Sequence, residues 1–183
     1  MKNGLINCGE DFYCHDDVYI KHISMATFGS HVALDKGFYC TTRLNIGDYV
    51  HIGPYVNIIG SIESRLILED FSFIALGTKI IAGSDDYSAS NLMGPLVPEK
   101  YTKKNNTTIK FEKFSGCGAN CVIMPGVTLS EGSLLLAGTV MTKDTKPWMV
   151  YGGNPARALR QRDREKIYKQ EEEIKKNQKE NKK

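Results

Sequence analysis

The chain has 183 residues, 41% of them apolar and 25% charged, a composition that fits one buried core and excludes fibrous and disordered classes. Net charge is +3, but residues 157 to 183 hold 11 Lys/Arg against 6 Asp/Glu, leaving 13 against 15 in the rest. The body is near neutral and lacks the basic stripe with interleaved aromatics of a nucleic-acid binder. No apolar run reaches the roughly 18 residues of a membrane span, and the first ten residues lack the apolar stretch of a secretory leader. Five cysteines, Cys8, Cys14, Cys40, Cys117 and Cys121, show no CxxC spacing. Neither a disulfide framework nor a zinc site is expected, and reduced thiols fit a cytoplasmic protein.

Residues 1 to 27 are expected to cap one end of the fold. A six-residue period then runs through Phe28, Leu34, Cys40, Ile46, Ile52 and Ile58, slips to Leu68, Ile74 and Ile80, and resumes at Phe111, Cys117, Ile123, Leu129, Leu135 and Met141. The position four after each is apolar, small or β-branched, as in Val50, Val56, Thr78, Ser115 and Cys121. Two inward positions per six residues, with Gly, Ala or an acid after the first, suit a short strand and tight corner repeated many times. A coiled coil is excluded, because six matches neither 3.5 nor 3.6 and each glycine would cost a helix about 1 kcal/mol.

Residues 86 to 108 break the period. With Pro95, Pro98, Lys100, Lys103 and Lys104, they are expected to leave the repeat as a long functional loop. The repeat ends at residue 146, and 147 to 183 form a C-terminal segment in which Ala156 to Lys183 read as a charged helix and tail.

These hexads, joined to Ile123-Met124-Pro125-Gly126-Val127, Leu136-Ala137-Gly138-Thr139-Val140-Met141-Thr142-Lys143-Asp144 and Gly153-Asn154-Pro155-Ala156-Arg157, resemble the hexapeptide-repeat acyltransferases. The sugar acetyltransferases of O-antigen and capsule synthesis are the nearest subgroup, with galactoside and maltose acetyltransferases more distant. The resemblance implies an all-β solenoid, a left-handed parallel β-helix of about five triangular coils. It also implies an acetyl-CoA donor, a sugar or nucleotide-sugar acceptor with polysaccharide biosynthesis as the setting, and a homotrimer with acceptor sites between subunits. Outward apolar residues Tyr49, Tyr55, Ile59, Phe71, Phe73, Leu76 and Ile81 give the trimer a physical motive.

By position in that family, Gly118, Ala119 and Ala137 would present backbone groups to pantetheine and the thioester, while Lys143, Arg157 and Arg160 would meet the CoA phosphates. Guanidinium and ammonium donors suit that polyanion. The segments Ser84-Asp85-Asp86-Tyr87-Ser88 and Val97-Pro98-Glu99-Lys100-Tyr101 also look like the subgroup, which puts Asp86, Tyr87 and Lys100 against the acceptor.

Transfer to an alcohol needs a base, and histidine is best matched to neutral pH. His15 and His22 fall in the expected cap and His31 in the first hexad, leaving His51, at an outward corner before Gly53-Pro54, as the expected base. The family's loop histidine is absent here, and Asp85 stands in its neighbourhood, able to orient a histidine or to take a proton itself. Inward Cys40, Cys117 and Cys121 disfavour a covalent acyl-enzyme. Antibiotic acetyltransfer on the same fold, a three-histidine zinc site and a non-catalytic scaffold remain the alternatives.

Overall fold

The computed structural model describes residues 7–88 and 90–181. The expected cap at 1–27, the loop and the basic tail therefore each lose some residues from the description.

Three parallel sheets form the faces of a solenoid. The first face runs from Asn7–Cys8 through Arg43–Ile46 and Arg65–Leu68 to Thr128–Leu129. The second runs from Tyr13–Cys14 through His51–Ile52, Phe73–Ile74 and Gly116–Cys117 to Met149–Gly152. The third runs from Tyr19–Ile20 through Asn57–Ile59 and Lys79–Ile81 to Val140–Met141. Every hexad residue from Phe28 to Met141 is buried, most of them completely. One apolar core thus runs the length of the molecule, built from the strand residues that alternation points inward.

Two expectations change. The solenoid has about seven turns in place of five, because Cys8, Cys14 and Ile20 already pair with Phe28, Leu34 and Cys40, and Met149–Gly152 begins a further turn beyond Leu134–Leu135. A single short turn at Ile23–Met25 separates them from Phe28 and breaks the six-residue count. The expected helix from Ala156 is the second change. Arg157–Gln161 is instead a strand running antiparallel to Met149–Gly152, which caps the open edge of the last coil. The helix begins later and spans Arg164–Asn181.

The acids after inward residues tie one coil to the next. Ser30 N–H donates to Asp48 Oδ1 at 2.7 Å, Asp48 N–H to Asp70 Oδ1 at 2.8 Å, and Thr128 N–H to Asp144 Oδ1 at 2.7 Å. These three corner amides, which the strand ladders leave unpaired, are thereby satisfied from the adjacent turn.

At the corner between first and second faces, His31, Tyr49, Phe71, Phe114 and Trp148 all adopt left-handed backbone with φ from 56° to 61°. That conformation costs a residue about 1 to 2 kcal/mol, and stacking offsets it. His31 to Tyr49, Tyr49 to Phe71 and Phe71 to Phe114 have ring centroids 4.4, 4.7 and 5.4 Å apart. The C-terminal helix lies along this ladder. Tyr168 packs on Phe114 and Trp148, and Gln178 bonds the Tyr49 hydroxyl and His31 Nε2. Tyr49 and Phe71, expected on an intersubunit surface, are half-buried under the chain's own helix. Tyr55, Ile59, Phe73 and Leu76 remain exposed.

Candidate active site

After Ile81 the chain leaves the corner between third and first faces as an antiparallel ribbon, Gly83–Asp85 against Lys104–Asn106. Glycine is required at 83: a Cβ there would lie 2.6 Å from Ser64 Oγ and 3.0 Å from Gly60 Cα. Asn106 fixes the base of the ribbon. Its Oδ1 accepts from the Ser61 and Ser64 hydroxyls at 2.9 and 3.0 Å, and its Nδ2 donates to Glu63 Oε2 at 2.8 Å.

A cleft of about 500 Å³ opens between this ribbon and the corners of earlier coils, lined among others by Lys21, His22, Ser61, Ser84, Asp85 and Lys104. Asp85 is held there by the Gly94 N–H, which donates to its Oδ2 at 3.0 Å. Opposite charges thus share one concave site, an arrangement suited to a ligand carrying both a proton-bearing nucleophile and an anion.

Asp86, Tyr87 and Lys100 do not line the cleft. The Ser88 hydroxyl, at 2.6 Å, and the Lys103 ammonium, at 2.9 Å, hold the Asp86 carboxyl down at about 2. Tyr87 is 69% exposed on the outer loop, and the Lys100 ammonium lies 4.7 Å from the Tyr101 ring centroid.

Three of the four histidines sit against aspartates. His15 Nδ1 is 2.6 Å from Asp17, His31 Nδ1 3.0 Å from Asp11, and His51 Nε2 2.8 Å from Asp35. His51 is more than half exposed on the second face, away from the Asp85 cleft, so one chain does not bring the two together. His22, among the described residues, has no carboxylate partner and is the histidine that lines the cleft. Sequence reasoning set it aside as part of a cap. The extra coil is what brings it to the site, and resuming the hexad count at Ile20, Cys14 and Cys8 after a two-residue slip would have found it.

The corner between second and third faces holds Gly118, Ala119 and Ala137. Gly118 N–H donates to Leu135 O at 2.8 Å, and Gly138 N–H to Ala119 O at 2.8 Å. The Gly118 amide is therefore engaged within the solenoid and is not free for an oxyanion. The Ala119 and Ala137 amides have no acceptor among the described residues. Successive coils touch here: a Cβ on Gly118 would lie 2.7 Å from Ala137 N. Lys143, Arg157 and Arg160 are exposed, the arginines on the capping strand paired with Gly152 and Val150. This corner and the cleft flank opposite edges of the third face.

Burial pushes the Cys40 thiol up to about 11. The Cys121 thiol, together with burial, raises Cys117 well above the ordinary range. Cys40, Cys117 and Cys121 are fully buried, so none is placed to carry an acyl group. Among the described residues no helix is long and apolar enough to cross a membrane.

No family model matches the chain. It is 26% identical over 166 residues to the dTDP-4-amino-4,6-dideoxy-D-glucose acyltransferase of Escherichia coli, covering 88% of this chain and 84% of the relative. It is 28% identical over 169 residues to the galactoside O-acetyltransferase of Escherichia coli K12, covering 92% and 70%. Among solved structures, it superposes on AntD, an N-acyltransferase from Bacillus cereus in complex with dTDP and 3-hydroxybutyryl-CoA. There the TM-score is 0.87 and the identity 26%, over 94% of this chain and 92% of that one. The coil architecture, the hexad pattern and these likenesses agree: over most of its length the chain is similar to acyltransferases built on the hexapeptide-repeat fold.

Proposed function

We propose that the protein transfers the acetyl group of acetyl-CoA to an amine or hydroxyl of a nucleotide-linked sugar, in the cytoplasm, for cell-surface polysaccharide. The observation that carries this reading is the mixed charge of the ribbon cleft, where Asp85 faces the same space as Lys21 and Lys104. Asp85 orients the nucleophile, and the lysines meet the diphosphate. A relative named for a dTDP-aminosugar and a solved neighbour holding dTDP with an acyl-CoA support the acceptor and donor classes.

Acetyl-CoA lies along the second-to-third corner. The Ala119 and Ala137 amides serve the pantetheine and the thioester oxygen, beside Gly118, with Lys143, Arg157 and Arg160 on the phosphates. The acceptor lone pair attacks the thioester carbonyl, the oxyanion collapses, and the C–S bond breaks to release CoA thiolate. His51, oriented by Asp35 at 2.8 Å, takes the acceptor's proton and returns it to the departing sulfur. Because His51 and Asp85 sit apart in one chain, the reaction is completed between neighbours of a homotrimer. The exposed Tyr55, Ile59, Phe73 and Leu76 are consistent with that assembly.

The test is a panel of nucleotide-linked aminosugars and neutral sugars incubated with acetyl-CoA, read by free-thiol release and product mass. Turnover on at least one is expected. Acetylation of chloramphenicol or a related antibiotic, with every sugar inert, overturns the proposal.

A further inference from the structure

Two exposed rings on the third face are not used by the reaction as described. Tyr19 and Tyr39 pair in register on adjacent coils, with centroids 5.1 Å apart and planes inclined by 14°. They are 49% and 39% exposed, and the C-terminal helix that covers the other aromatic ladder lies at a different corner. Tyr19 stands two residues before Lys21, so strand alternation puts both on the outer side, roughly 6.6 Å apart along the strand. Lys21 lines the acceptor cleft. On the next coils the same row continues as Asn57 and Lys79, so the aromatic surface is confined to the coils beside that lysine.

We infer that Tyr19 and Tyr39 form a stacking platform for the nucleobase of the acceptor, with its diphosphate on Lys21 and its sugar reaching Asp85. This rests on the reading of the acceptor as a nucleotide-linked sugar. The two rings cover each other's inner faces, so the base stacks on an outer face of the pair; a π-face accepts any base, and the platform therefore sets affinity for a nucleotide over a plain sugar phosphate. Tyr19 and Lys21 lie one strand dipeptide apart on the outer side, so ring and lysine side chain can serve neighbouring parts of one ligand.

The experiment titrates the full-length protein with UDP and dTDP, and with a hexose 1-phosphate as the probe lacking a base. Wild type is expected to bind a nucleoside diphosphate more tightly than the hexose 1-phosphate. Tyr39→Ala and Tyr19→Ala/Tyr39→Ala should weaken nucleoside diphosphate binding about 10-fold or more and leave hexose phosphate binding unchanged. Tyr39→Phe, which keeps the ring, should bind as wild type. Equal loss for both probes, loss in Tyr39→Phe, or an alanine variant whose loss accompanies a fall in oligomer mass by light scattering would overturn the platform. Binding that is present but insensitive to all three variants removes the platform and spares the acceptor reading. Absence of any nucleoside diphosphate binding in the wild type removes both.

Discussion

Lys113 Nζ lies 2.6 Å from Glu171 Oε1, an ion pair that fastens the C-terminal helix to a corner of the solenoid 58 residues earlier in the chain. Glu171 is only 7% exposed, and Lys175 reaches the same oxygen at 2.5 Å from within the helix. Burial opposes its charge, but the bonds from Lys113 and Lys175 outweigh that and hold the carboxyl below its usual 4.5.

Lys113→Met should therefore loosen the helix from its aromatic ladder. The expected cost is about 1 to 2 kcal/mol, more than a surface pair but less than a fully buried one, because Lys175 still answers Glu171. A carboxyl lowered in the folded state contributes stability fully above about pH 4.5 and loses it as pH falls through the lowered value. Helix amides should exchange faster in Lys113→Met at pH 7, and the difference from wild type should shrink under acid. Identical exchange at pH 7 would show that the aromatic contacts alone hold the helix.

Gly118→Ala tests the contact between the last coils. A Cβ at 118 meets Ala137 backbone at 2.7 Å, and backbone cannot swing aside as a side chain does. Overpacking of this kind costs about 1 to 3 kcal/mol, which for a chain of this size lowers the melting temperature by about 2 to 12 °C. The same shift displaces the Ala119 and Ala137 amides, so CoA affinity should fall with stability. A variant with unchanged melting and CoA binding would mean the coils separate there freely.

The solenoid was legible because its signal is long and physical. An inward residue every six positions has nowhere to go but the core, and all the hexad residues from Phe28 to Met141 arrive there. Cys8, Cys14 and Ile20 belong to the same pattern but were cut off by the short turn at Ile23–Met25. Their omission removed His22 from the site and one corner from the cleft. The capping strand was hidden for a different reason. Arg157–Gln161 is exposed along its length, so no alternation of burial marks it as a strand; it pairs only because the last coil has an open edge. The Ser88 and Lys103 bonds that engage Asp86 arise from the fold of the loop, and composition alone does not distinguish Asp86 from Asp85.

The exposed cations near the capping strand give the donor site its prediction. Arg157→Ala/Arg160→Ala should raise the Kd for CoA by about 10- to 100-fold, since each charge-assisted phosphate contact is worth about 1.5 to 3 kcal/mol before solvent screening. Arginines on a strand that is itself only an edge cap should not affect folding, so melting should stay within about 2 °C. Calorimetry at two salt concentrations checks this: the wild-type affinity should fall with salt and the double variant should respond less. Equal affinity in both proteins would place the phosphates elsewhere.

The last prediction sets His51 against Asp85. His51 Nε2 is committed to Asp35, which leaves Nδ1 as the nitrogen able to take a proton, on an imidazole open to solvent. Asp85 lies in the cleft with one oxygen on the Gly94 amide and the other without a hydrogen-bond partner among the described residues. If His51 is the base, His51→Ala should lower kcat by about 10² to 10⁴ with CoA affinity and oligomer mass intact. Asp85→Asn keeps the shape of the cleft and should raise the acceptor KM more than it lowers kcat, because the carboxylate then orients and does not carry the proton. The reverse outcome, a large kcat loss in Asp85→Asn with near-normal turnover in His51→Ala, would transfer the base to Asp85. An amine acceptor, already partly neutral at the assay pH, would narrow the gap between the two variants, and mixing subunits that each carry one of the two substitutions separates the cases. If His51 from one protomer meets Asp85 of its neighbour, a mixture of the two impaired proteins assayed at low acceptor concentration exceeds the activity of either alone, because a fraction of its interfaces joins two intact residues. No recovery on mixing would confine the chemistry to a single chain and leave His22, already in the cleft, as the histidine to substitute next.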